Sequence, residues 1–125
     1  MRFNIPKDSS RFLWTNHVVG KMKQYGLSEQ KVRGVVFNHK RKEEGIAPKT
    51  IAVMQLTGSK KKPTEIWVMY QLVKEKARGD VKNGAVLPTE TKKRIITAWR
   101  YPGVSPKRQS IPIPDDILNE LDSIV

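Results

Sequence analysis

His17 and Lys21 stand four residues apart, a spacing that places two side chains on one face of a helix. A neutral imidazole near pH 7 can accept and return a proton, and a neighbouring ammonium can hold an anionic phosphate. Metal-free cleavage of RNA needs such a set: a base for the 2′-hydroxyl, cations for the phosphorane charge and an acid for the leaving oxygen. Arg100 adds a planar fork for phosphate oxygens, and Trp99 or Tyr101 beside it a ring on which a base can stack. His17, Lys21 and Arg100 are therefore the candidate catalytic residues. On strand alternation Arg100 lies opposite Trp99 and Tyr101, so one sheet face cannot use all three. The plainer alternatives are a solvated His and Lys on a helix surface, Trp99 in the core and Arg100 at its rim.

Other chemistries are struck off by what is missing. With no cysteine, disulfides, thiol catalysis and zinc–thiolate sites are excluded. Two histidines leave few ligands for a transition metal, and the scattered carboxylates suggest no two-metal nuclease. No His-Glu-x-x-His, Gly-x-Ser-x-Gly, complete phosphate loop or dinucleotide fingerprint occurs, so no cofactor or metal is expected. Apolar runs are too short to span a bilayer, and the first residues do not read as a signal peptide; a cytoplasmic location is the expectation.

The charge is more telling. The 125 residues carry 24 Lys and Arg against 12 Asp and Glu, a formal +12. Every basic residue lies at or before Arg108, where eight acids give that stretch +16, while Asp115, Asp116, Glu120 and Asp122 leave the tail at −4. Such a body is the electrostatic footprint of a nucleic-acid partner. Lys60, Lys61 and Lys62 fall between two strand patterns, where a hairpin tip can track a phosphate backbone or simply stay solvated.

These residues must be held by elements. Thr15 or Asn16 can cap a helix over 16–25, with Val18, Val19, Met22 and Tyr25 at helical spacing and Gly26 closing it. Ser28 caps a second helix reaching about Asn38, with Val32, Val35 and Val36 inward, and His39 to Glu44 reads as a charged exit. Beyond Pro48 the period becomes two. Strands are expected over 50–56, 64–73 and 92–101, with a long loop over 74–91 that can hold a short hairpin. The middle strand has Ile66, Val68, Tyr70 and Leu72 on one face and Trp67 and Met69 on the other, so it should be central and covered on both sides. Ile111 to Pro114 is extended, and a short helix follows from Asp115 or Asp116 with an apolar stripe of Ile117, Leu118, Leu121 and Ile124. The expected fold is α+β: two N-terminal helices on a three- or four-stranded antiparallel sheet, plus an acidic C-terminal helix. Residues 1–108 form the basic body and 109–125 an acidic extension of the same domain.

A rival reading takes Met22 to Arg33 as a helix-turn-helix, which would present Glu29, Gln30, Lys31 and Arg33 to a DNA groove. Against it, the chain passes into strands where a third helix would complete that unit. The phrase Tyr25-Gly26-Leu27-Ser28 before a valine-rich helix, and the strand Arg94-Ile95-Ile96-Thr97-Ala98-Trp99-Arg100, point elsewhere. Together they resemble a family of small proteins related to the RelE and BrnT toxins, whose last strand reads IxSAxR; Thr97 stands where Ser is usual. The resemblance covers about residues 12–101. It implies the fold of the barnase–EndoU–colicin–RelE group, often a metal-independent endoribonuclease held by an antitoxin-like protein partner. His17 and Arg100 match the pattern, Lys21 stands where a basic residue is common, and Tyr70 and Arg94 are looser matches.

The sequence reading is thus an RNA-binding protein, and a metal-independent ribonuclease if His17, Lys21 and Arg100 meet. Arg33, Lys60, Lys61, Lys62, Tyr70, Arg94 and Tyr101 are the candidate substrate-binding residues. The alternatives are a non-catalytic nucleic-acid-binding module and a helix-turn-helix regulator. The acidic tail has two readings of its own, a structural cover for the sheet or an internal competitor for phosphate.

Overall fold

Thr15 starts the first helix as its sequence position suggests: its hydroxyl accepts from the Val18 amide at 3.2 Å and donates to the Ile95 carbonyl at 2.8 Å. A computed structural model describes residues 3–76, 89–107 and 110–124. Among them the chain forms three helices, α1 (Asn16–Tyr25), α2 (Glu29–Phe37) and α3 (Asp115–Ile124). Five strands join one sheet: β1 (Phe12–Trp14), β2 (Arg41–Glu44), β3 (Thr50–Gly58), β4 (Pro63–Lys76) and β5 (Thr89–Pro102). Gly26 closes α1 in the left-handed conformation at φ 66°, and the Gly26 and Leu27 amides turn back to the Lys23 and Met22 carbonyls. Ser28 caps α2 through the Lys31 amide at 3.0 Å.

The α+β class holds, and the sheet is larger than expected. Its order is β1-β5-β4-β3-β2, with β1 parallel to β5 and every other pairing antiparallel. A three- or four-stranded, purely antiparallel sheet is therefore corrected to five strands and a mixed one. Strand β1 is three residues long and pairs with residues some eighty positions away; Asp8 and Ser9 side chains hold its amides. Strand β2 occupies the stretch read as a charged exit. It alternates, Arg41 and Glu43 half-buried and Lys42 and Glu44 exposed, which suits a sheet edge. The loop expected over 74–91 is shortened, because β4 runs to Lys76 and β5 begins at Thr89; the hairpin considered within it lies outside the described residues.

Strand β4 is central and apolar on both faces. Ile66, Val68 and Tyr70 join Val18, Met22, Val32, Val35 and Val36 of α1 and α2 in one core. Trp67 and Met69 join Trp99, Met54, Ile111, Ile117 and Leu121 in a second core on the opposite face. Trp67 and Trp99 stack there, 6.0 Å between ring centroids and 8° between planes. Thus α3 supplies a lid that α1 and α2 cannot. Two stripe positions depart from the expectation: Leu72 and Leu118 are exposed.

Gly26 and Gly58 both adopt positive φ, at 66° and 85°, but a Cβ on Gly26 would meet open space and one on Gly58 would press into the Lys62 carbonyl. Urea denaturation should show Gly26→Ala losing about 1 kcal/mol and Gly58→Ala about 2–3 kcal/mol. Equal losses would mean that the β3–β4 turn relaxes to accept the methyl group.

Candidate nucleic-acid interface

Where β1 ends at Trp14, α1 takes over beside the same edge of β5 and runs in the direction of that strand. Its first residues sit at Ile95 to Thr97, and Arg100 reaches its last carbonyls. Val18 and Met22 turn into the first core. The flank that carries His17 and Lys21 turns to α3 instead.

His17 sits between a hydroxyl and a carboxylate. Nε2 lies 3.1 Å from Thr97 Oγ1 and Nδ1 lies 3.2 Å from Glu120 Oε2. Since an ionised carboxylate can only accept, we assign the ring proton to Nδ1, leaving Nε2 to accept from the Thr97 hydroxyl. Burial lowers the His17 pKa and the Lys21 charge lowers it further, against the upward pull of Glu120 and Asp116. The imidazole is therefore held neutral. Hydroxyl, imidazole and carboxylate in line have the form of an activated nucleophile. Burial decides against that role: Thr97 is 0% exposed, so no substrate atom can reach its oxygen.

Lys21 is 7% exposed, and its ammonium group meets three acceptors. Asp116 Oδ2 lies at 2.7 Å, Gln24 Oε1 at 3.1 Å and Glu120 Oε1 at 3.2 Å. Three donors and three acceptors leave nothing for an added phosphate. Burial works against this charge, but the hydrogen bonds and charges of Asp116 and Glu120 prevail and raise the Lys21 pKa. Asp116 also accepts from Gln24 Nε2 at 3.2 Å and from the Tyr25 hydroxyl at 3.2 Å. Burial would raise the Asp116 pKa, yet Lys21, Gln24 and Tyr25 outweigh it and lower it.

Arg100 is not part of this cluster. Its Nε donates to the Tyr25 carbonyl at 2.6 Å and its Nη2 to the Gly26 carbonyl at 3.1 Å. A guanidinium at a helix C-terminus satisfies orphan carbonyls and meets the negative end of the dipole. Tyr25 lies eight residue steps beyond His17, about 12 Å along the helix axis. Arg100 thus caps α1 with two of its donors, and the fold does not bring it to His17 and Lys21.

The candidate binding residues divide. Lys60, Lys61 and Lys62 are exposed at the β3–β4 turn, where the Ser59 hydroxyl accepts from the Lys62 amide. Arg33 is exposed on α2 with its guanidinium 5.3 Å from the Phe12 ring centroid, and Arg94 is exposed on β5. Tyr101 is half-buried against the second core and lines an open groove of about 360 Å³ with Tyr25 and Arg100. Tyr70 is buried in the first core, where burial raises its pKa; its role as a binding residue is corrected to packing. Sequence reasoning did not single out Phe37, which is 54% exposed with Lys93 Nζ 5.9 Å from its ring centroid. Nor did it single out Gln24 and Tyr25 as donors. One signal was available: Asp116 and Glu120 repeat, with opposite charge, the four-residue spacing of His17 and Lys21.

Between the lowered folded pKa of His17 and its ordinary 6.5, the unfolded chain binds more protons than the folded one. Stability should therefore fall as pH drops from about 7 through that window, and thermal melts should show a shallower fall for His17→Gln. Matching slopes in both proteins would mean that His17 is free to charge in place. Comparison of the chain with protein-family models, with curated proteins and with solved structures finds no match in any of the three, so the likeness to the RelE and BrnT toxins rests on the short motifs quoted above.

Proposed function

We propose that this protein is an RNA-binding module. The observation that carries the reading is the partition of charge: the tail acids Asp116 and Glu120, though partly exposed, pair with Lys21 and His17, whereas Lys60, Lys61, Lys62, Arg33 and Arg94 face solvent. The outward field is then basic, which attracts a polyanion and holds it by counterion release. Exposed Phe37, beside Arg33 and Lys93, adds a ring on which an unpaired base can stack, a mode suited to single-stranded RNA. The helix-turn-helix alternative finds β3 and β4 under α2, where a third helix would stand.

Cleavage is a separate matter. A ribonuclease built on His17, Lys21 and Arg100 needs all three around one phosphate. In this fold two are engaged by α3 and the third caps α1. Binding without cleavage is the reading the geometry supports best.

Fluorescence anisotropy with a labelled single-stranded RNA should show affinity falling steeply with salt. Replacing Lys60, Lys61 and Lys62 by Ala should reduce the log–log salt slope by about 2. No binding at low salt would remove RNA as the partner. RNA should also stay intact in EDTA; cleavage that His17→Ala abolishes would restore the nuclease.

A further inference from the structure

Among the described residues, the body of the protein holds a cation that no carboxylate of its own pairs with. Lys21 is buried on α1, and the carboxylates facing it come from the last helix. His17, Lys21, Gln24 and Tyr25, along one flank of α1, all direct hydrogen-bonding groups at the two carboxylates of Asp116 and Glu120. An ordinary surface ion pair uses one donor and one acceptor in water. Here a charged donor, an imidazole, an amide and a phenol converge on two anions one helical turn apart, about 6 Å along the axis.

The second core beneath α3 is closed, with Trp67 and Trp99 both fully buried, but one polar group in it is unpaired. Trp67 Nε1 donates to Glu65 at 3.0 Å, but Trp99 Nε1, stacked beside it, is buried with no acceptor among the described residues. Among the described side chains of α3, Ile117 and Leu121 enter the second core while Leu118 stays exposed. Among its described side chains, α3 holds to the body through Ile117 and Leu121 and through the carboxylates of Asp116 and Glu120.

We infer that the His17–Lys21–Gln24–Tyr25 flank of α1 is a site for the phosphodiester backbone of single-stranded RNA, which α3 fills in cis with Asp116 and Glu120 in the places of two phosphates. This rests on the RNA-binding reading above and extends it from exposed lysines to a covered site. When RNA displaces α3, Lys21 and His17 exchange carboxylate partners for phosphate oxygens, and the buried charge keeps a counter-ion throughout. The tail acids then compete with RNA, which makes the site weak in the resting chain.

Two measurements test it. In the full chain, Asp116→Asn with Glu120→Gln keeps Ile117 and Leu121 and removes the competing charge. Its affinity for a short oligouridylate at low salt should rise about ten-fold over wild type, with a salt slope steeper by about 1 to 2. A control of equal charge change, Asp115→Asn with Glu44→Gln at exposed positions, should gain about two-fold. Adding Lys21→Gln should remove the difference between the two. The second measurement uses the wild-type chain, so it does not depend on the variants folding: saturating oligouridylate should speed amide exchange across α3. Wild-type binding with no gain over the control, or with α3 protection unchanged, overturns the covered site and leaves the RNA-binding module standing. Absence of oligouridylate binding by every form overturns both.

Discussion

A strand that is apolar on both faces demands two covers, and β4 imposes that demand on the whole chain. Ile66, Val68 and Tyr70 need one layer; Trp67 and Met69, with Trp99 from β5, need another. The residues before β2 supply the first through the valines of α1 and α2. By then no helix is left to spend on the second, and the chain must cross back after β5 to close it. Ile111, Ile117 and Leu121 do so. Each aliphatic side chain fully withdrawn from water contributes about 1.5–3 kcal/mol, so this lid has real weight in the fold. The crossing is pinned at its start as well. Buried Glu65 accepts from the Ser105 amide at 3.0 Å and from its hydroxyl at 2.6 Å, while Arg41 Nη1 donates to that hydroxyl at 3.0 Å.

Local signals made much of this legible. The caps of α1 and α2, the two faces of β4, the lysine turn and the start of α3 are each decided within a few residues, by a hydroxyl, a glycine, an alternation or a proline. What escaped depends on partners far along the chain. Three residues cannot display a period, so β1 becomes a strand only when Phe12 to Trp14 meet Lys93 to Ile95. Strand β2 has no apolar pattern at all; pairing with Ile51 to Met54 makes it a strand. Arg100 shows the same limit at the candidate site. Its type and neighbours suit a phosphate, and only the arrival of α1's carbonyls at its guanidinium shows what it holds. Leu72 and Leu118 err the other way, because periodicity marks a side chain as apolar without showing where the cover ends.

Ion pairs at α3 are better understood as geometry than as stability. Withdrawing Lys21 from water costs several kcal/mol, and carboxylate partners largely offset that cost rather than exceed it. Apolar contacts from Ile117 and Leu121 tolerate small slides along the sheet. Lys21 does not, since its three donors are satisfied when Asp116, Glu120 and Gln24 are all in reach. The cluster therefore fixes the register of the lid, and through His17 it ties that register to Thr97 on β5. It also pairs the partly exposed Asp116 and Glu120 with Lys21 and His17, so part of the tail's negative charge is offset locally rather than by the solvent-facing lysines and arginines. One contact thus sets how the second core is closed and how basic the molecule looks to a polyanion approaching it.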